Sequence, residues 1–146
     1  MESVIPDFAG KIIESARIDF GLHLRTEDGW MIVIEAPVVV SGPGIAPTRV
    51  DPAVAESPLP DALEGVAGQA ITQLLVAREG HLGVQLADRQ ISVRADENYE
   101  AWHVTGPDGE LLICRPGGEL THFSPARRDP HVAPESGPAG GSPARP

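Results

Sequence analysis

The chain has 146 residues, a hydrophobic fraction of 41% and a formal charge of −10. That length supports one domain-sized core, and the apolar share is ordinary for a globular chain. An acidic surface repels phosphate, which disfavours nucleic-acid binding, and no run approaches the roughly 18 consecutive apolar residues of a membrane helix.

The charge is unevenly spread. From Ser124 onward, Arg127, Arg128 and Arg145 stand against Asp129 and Glu135, so this tail carries +1 and residues 1–123 carry −11. Such a surface favours a basic protein partner or a cationic ligand. Lys11 is the sole lysine among the basic residues, an arginine bias typical of a GC-rich genome. Cys114 is the only cysteine, which leaves no intrachain disulfide and points to a reducing cytoplasm. The opening residues MESVIPDFAGK have neither the basic nor the apolar region of a secretory signal.

Taken in chain order, the first patterned stretch is GKIIESARIDFGLHLRTEDGWMIVIEA, from Gly10. Leu22-His23-Leu24 alternates as a half-buried strand does, and Glu27-Asp28-Gly29 reads as a hairpin turn. MIVIEAPVVV is β-branched and continuous, which predicts a strand buried on both faces until Pro37 interrupts it. Residues 41–60 hold five prolines, so they read as a long surface loop, with no phosphate-binding character in Gly42-Pro43-Gly44. A short helix is expected near 58–66, with Asp61 as its cap and Glu64 three residues on.

A second stretch from Gly68, GQAITQLLVAREGHLGVQLADRQISVRA, resembles the first. Gly10 matches Gly68, Ile13 matches Ile71 and Ile18 matches Val76. After a two-residue slip, Leu22 and Leu24 match Leu82 and Val84, Asp28 falls on Asp88, and Met31 and Val33 fall on Ile91 and Val93. The chain is therefore read as an internal repeat, approximately 10–40 and 68–95, each copy an antiparallel meander. Hairpins over 99–123 follow, with turns at Gly106-Pro107-Asp108-Gly109 and Arg115-Pro116-Gly117-Gly118. Alternation places Trp102 and Val104 on one face and His103 on the other, and sets Leu112 and Cys114 opposite Leu111 and Ile113.

The resulting fold class is mainly β: two related meanders forming a sandwich or a partly open barrel, with one short helix. Residues 1–123 form the single β-rich domain. Residues 124–146 hold six prolines and three glycines and are expected to be a disordered tail.

YEAWHVTGPDGELLICRPGGEL, preceded by Val93 to Asp96, resembles an uncharacterised family of small actinobacterial proteins, a domain of unknown function. The resemblance runs from about residue 4 to 123, includes Phe8-Ala9-Gly10, and implies no known activity.

The candidate binding residues are Tyr99, Glu100, Trp102 and Trp30. An indole face holds a cation well, and Glu100 would neutralise it. The plainer reading makes Trp102 the main core aromatic in a chain with six aromatics, and Tyr99 an edge cover. His23, His81, His103, His122 and His131 show no metal-ligand spacing, so neither a metal nor another cofactor is expected. No serine lies in Gly-x-Ser-x-Gly, and Cys114 reads as a buried thiol.

These features favour a non-catalytic acidic protein-binding module, an immunity- or regulator-type protein covering a basic partner. The alternative is a small-ligand-binding β module with a tryptophan-lined pocket between the meanders. An enzyme would require a cross-strand cluster that spacing does not reveal.

Overall fold

The computed structural model describes residues 7–53 and 59–124. Its strands run β1 (Ile13–Ile18), β2 (Leu22–Thr26), β3 (Met31–Ile34), β4 (Val38–Gly42), β5 (Ile45–Val50), β6 (Ile71–Val76), β7 (Leu82–Leu86), β8 (Gln90–Val93), β9 (Trp102–Thr105), β10 (Leu111–Cys114) and β11 (Leu120–Phe123). They form a six-stranded sheet, β1-β2-β3-β9-β10-β11, and a five-stranded sheet, β5-β4-β8-β7-β6. Every pairing is antiparallel, and the sheets pack as a sandwich that does not close into a barrel.

The connectivity follows from where the chain changes sheets. The β1–β3 meander builds one sheet, then Glu35–Pro37 carries the chain across so that β4 and β5 extend the other. The β6–β8 meander builds that second sheet, then Arg94–Ala101 carries the chain back so that β9 to β11 extend the first. Each sheet is therefore a three-stranded meander from one patterned stretch, extended by the strands that follow the other.

The β1–β2 and β6–β7 pairings have similar registers. β1 pairs with β2 from Ile13↔Thr26 to Ile18↔Leu22 with a shift between Ile13 and Ser15. β6 pairs with β7 from Ile71↔Leu86 to Val76↔Leu82 with a shift between Ile71 and Gln73. The strand starts are laced by reciprocal hydrogen bonds. Gly10 N donates to Ile71 O as Gly68 N donates to Ile13 O, and Ile71 N donates to Lys11 O as Ile13 N donates to Gln69 O. The Ile12↔Ala70 bridge lies at the centre of this lacing.

One sequence match shifts. Leu22 pairs with Ile34 and Leu24 with Ile32, whereas Leu82 pairs with Val93 and Val84 with Ile91. Ile32 and Ile34, not Met31 and Val33, therefore stand where Ile91 and Val93 stand. The cause is a β7–β8 loop one residue shorter than the β2–β3 loop, because Gln85↔Gln90 closes the former and Arg25↔Met31 the latter.

Alternation selects the core. Leu22, Leu24, Ile32, Ile34, Trp102, Val104, Leu112 and Cys114 face inward from one sheet, and Val38, Val40, Leu82, Val84, Ile91 and Val93 from the other. Each inward aliphatic gives up its contact with water, roughly 1.5–3 kcal/mol per fully buried side chain, against the entropy of ordering the strands. Trp30 stacks edge-on against Phe8, ring centroids 5.4 Å apart at 70°. Gly106 leaves room for it, since a Cβ there would lie 2.8 Å from the indole.

Two expectations change. Residues 41–50 are not loop: β4 runs to Gly42, Pro43-Gly44 turns with Gly44 at φ 77, and β5 follows. β5 is an edge strand, and Pro47 falls where its register with β4 shifts between Val40 and Gly42, so its missing N–H interrupts no central ladder. The helix near 58–66 is a three-residue 3-10 turn, Asp61–Leu63. Its cap position is Pro60, no side chain caps it, and the backbone is already extended at Glu64 (φ −67, ψ 142), one residue before Gly65 (φ 79). Leu63 and Val66 from this segment are buried in the core. Residues 54–58 of the proline-rich stretch, and the expected tail beyond Ser124, lie outside the described residues.

Candidate functional site

The two sheet-crossing segments meet. Glu35 N and Ala36 N both donate to Ala101 O, at 2.8 and 3.2 Å, and Ala101 N donates to Cys114 O. Asp96 O accepts from Gly117 N at 2.7 Å, and Asp96 Oδ1 accepts from Asn98 N, which fixes the bend that presents Tyr99. Tyr99 is 44% exposed. Partial burial holds its phenol above the usual tyrosine range, reinforced by the carboxylates of Asp96, Asp51 and Glu35. Glu97 and Glu100 flank it in the chain, both exposed. Among the described residues, none of these five carboxylates makes an ion pair. The result is an acidic end with one exposed aromatic ring.

The four sequence candidates separate. Tyr99 and Glu100 sit at that acidic end. Trp102 starts β9 immediately after it but is 0% exposed, and its indole N–H donates to Gly80 O at 2.8 Å. Trp30 is buried beside Gly106, beyond the other end of β9. Neither tryptophan presents a face to solvent. Glu35 and Asp51, which complete the acidic end, are far from Tyr99 in sequence and carry no local signal.

His103 lies next to this end on the outer face of the six-stranded sheet. Burial lowers its pKa and neighbouring His23 adds to this, while Glu35 and Glu100 oppose it. His23 and His103 both stand opposite Val33 on flanking strands. Among the described residues, no three His, Cys, Asp or Glu side chains are placed to hold a metal ion. Cys114 is fully buried, and burial pushes its thiol up.

A second feature, unread in the sequence, is a groove of about 550 Å³ on the outer face of the five-stranded sheet. Val39, Ser92, Gly83 and Leu75 form its floor and one wall, with Arg49 and Arg94 beside them. Neither tryptophan lines it. Its one sequence signal is Gly83, a glycine inside an otherwise apolar strand.

The motif, the crossing segment and the turn packing all lie within the span that a family model matches. The chain belongs to the family of unknown function DUF6188, matched over residues 4–124. No curated protein and no solved structure matches it. Among the described residues, no helix is long and apolar enough to cross a membrane.

Proposed function

We propose that this DUF6188 protein is a non-catalytic binding module that engages a basic protein partner through the acidic end around Tyr99, in the manner of an immunity or regulator protein. The observation that carries the reading is the set of carboxylates around an exposed tyrosine, Asp96, Asp51 and Glu35, with no cationic side chain paired to them among the described residues. Unpaired carboxylates attract arginine and lysine from a partner, and an exposed tyrosine supplies flat contact area with few rotatable bonds. The equal registers and reciprocal hydrogen bonds of the two meanders support a duplicated unit, the second copy having lengthened its crossing segment to carry Tyr99. The arginine bias and lone cysteine support an actinobacterial, cytoplasmic setting.

Calorimetric titration with an arginine-rich peptide tests the site. Neutralising Asp96, Glu97 and Glu100 to their amides should weaken binding about tenfold or more, and added salt should weaken it further. Neutralising Glu14, Asp108 and Glu119 should leave most of the affinity. Equal losses in the two triple variants would reduce the effect to net charge and sink the site.

A further inference from the structure

The groove on the five-stranded sheet is built across one register row: Arg49 stands opposite Val39, Val39 opposite Ser92, Ser92 opposite Gly83, and Gly83 opposite Leu75. Gly83 forms its floor. Glycine weakens a strand interior, so its presence calls for a cause. Backbone conformation is not the cause, since Gly83 is not among the positive-φ glycines. Crowding is not the cause either, because a Cβ there would meet nothing nearer than Gln90 Nε2 at 3.5 Å, with Leu75 Cβ at 3.7 Å and Cδ1 at 3.9 Å, all ordinary contacts.

The six-stranded sheet offers an internal comparison. Its matching row reads Arg17, His23, Val33, His103, Ile113, again paired neighbour to neighbour. Two imidazoles occupy the places that Gly83 and Val39 hold in the other sheet. The groove exists because those two positions carry less side chain. What remains is an apolar floor from which Val39 and Leu75 are each 39% exposed.

Its charge is opposite to that of the chain. Arg49 and Arg94 line it, both exposed, and neither makes a salt bridge among the described residues. His81, 3.6 Å from Glu79, also lines it, and Asp96 is the single carboxylate in the lining. Arginine forks recognise carboxylates in bidentate geometry, and a volume of about 300–1,000 Å³ is usual for small-molecule sites.

We propose that this groove is a binding site for a small amphipathic carboxylate, its apolar body lying on Val39, Gly83 and Leu75 and its anionic head between Arg49 and Arg94. The groove adjoins the acidic end and shares Asp96 with it, but it takes a ligand of opposite charge and its test reads Arg49, Arg94 and Gly83, so failure of one reading is distinguishable from failure of the other.

Nuclear magnetic resonance titration of the intact chain with octanoate tests it, with octanol and inorganic phosphate as the two half-ligands. Octanoate should shift the amides of Gly83, Ser92 and Arg94 saturably, and octanol and phosphate should each bind about tenfold more weakly. The double variant R49Q/R94Q should weaken octanoate about tenfold while leaving octanol unchanged. Gly83→Leu should remove both. If that variant unfolds, the arginine pair decides alone, since both side chains are exposed. Absence of a saturable octanoate shift, equal affinity for octanol, or an unchanged R49Q/R94Q would overturn the proposal.

Discussion

The indole N–H of Trp102 donates to the carbonyl of Gly80 at 2.8 Å, joining the start of β9 in one sheet to the β6–β7 loop of the other. The Cys114 thiol reaches the same oxygen at 3.5 Å. Gly80 adopts φ 95, and a Cβ there would lie 2.9 Å from the Cys114 sulfur and 2.8 Å from Gly118 Cα. Trp102→Phe removes the donor and leaves a smaller ring in a filled site, so it should destabilise the fold by about 2–3 kcal/mol. Urea unfolding followed by Trp30 fluorescence measures it; a change within experimental error would show that the cross-sheet bond is not a stabilising contact.

His103 makes stability depend on pH near neutrality. Burial holds its folded pKa below the unfolded value of about 6.5, so the unfolded chain takes up the proton more readily. The stabilisation is complete above that value, declines as pH falls through it, and stops declining below the folded pKa. Melting temperatures from about pH 7.5 to about pH 5 should fall less steeply in His103→Gln than in the parent chain. Parallel curves would assign the slope to another group.

Asp28 acts at lower pH. Its carboxylate accepts from the Lys11 ammonium and from Thr26, and these bonds, Lys11 first, hold it below the usual carboxylate range. A depressed carboxylate stabilises above its unfolded pKa, and that contribution is lost as pH falls through the folded pKa. Asp28 is half exposed, so Asp28→Asn should lower stability by under about 1 kcal/mol at neutral pH. The difference should shrink with salt and vanish in acid. A deficit that persists in acid would point to lost packing instead.

Tyr99 is the only tyrosine, so absorbance titration of phenolate reads it alone. It should ionise above the ordinary tyrosine range, and Asp96→Asn should bring it down, because partial burial and then the Asp96 charge are the main causes of its shift. An unmoved titration in Asp96→Asn would remove Asp96 from the acidic end.

Much of the architecture was legible because two-residue alternation and glycine-proline turns are local signals. Trp102, Val104, Leu112 and Cys114 face inward as their spacing predicts, and Gly117 and Gly118 take the positive φ their turn requires. The edge strand β5 was hidden because a proline count over 41–60 averages a strand with a loop, and an edge strand with a bulge tolerates Pro47. The expected helix stopped after Leu63, where Glu64 is already extended. Of the candidate site, Tyr99 and Glu100 were visible as one sequence cluster. Glu35 joins them because the two crossing segments meet, and Asp51 because β5 ends beside the start of β4, both of which depend on strand order. The groove was hidden for the same reason: Arg49, Ser92 and Gly83 lie on three different strands.

The most direct measurement is the Tyr99 titration repeated with an arginine-rich peptide bound, since arginine stays cationic throughout the range in which a phenol ionises. Guanidinium groups seated among Asp96, Asp51 and Glu35 should offset the field that holds the phenol proton, and Tyr99 should ionise at a lower pH than in the free chain. A bound peptide that leaves the Tyr99 titration where it was, or moves it upward, would contradict recognition of a basic partner at this end.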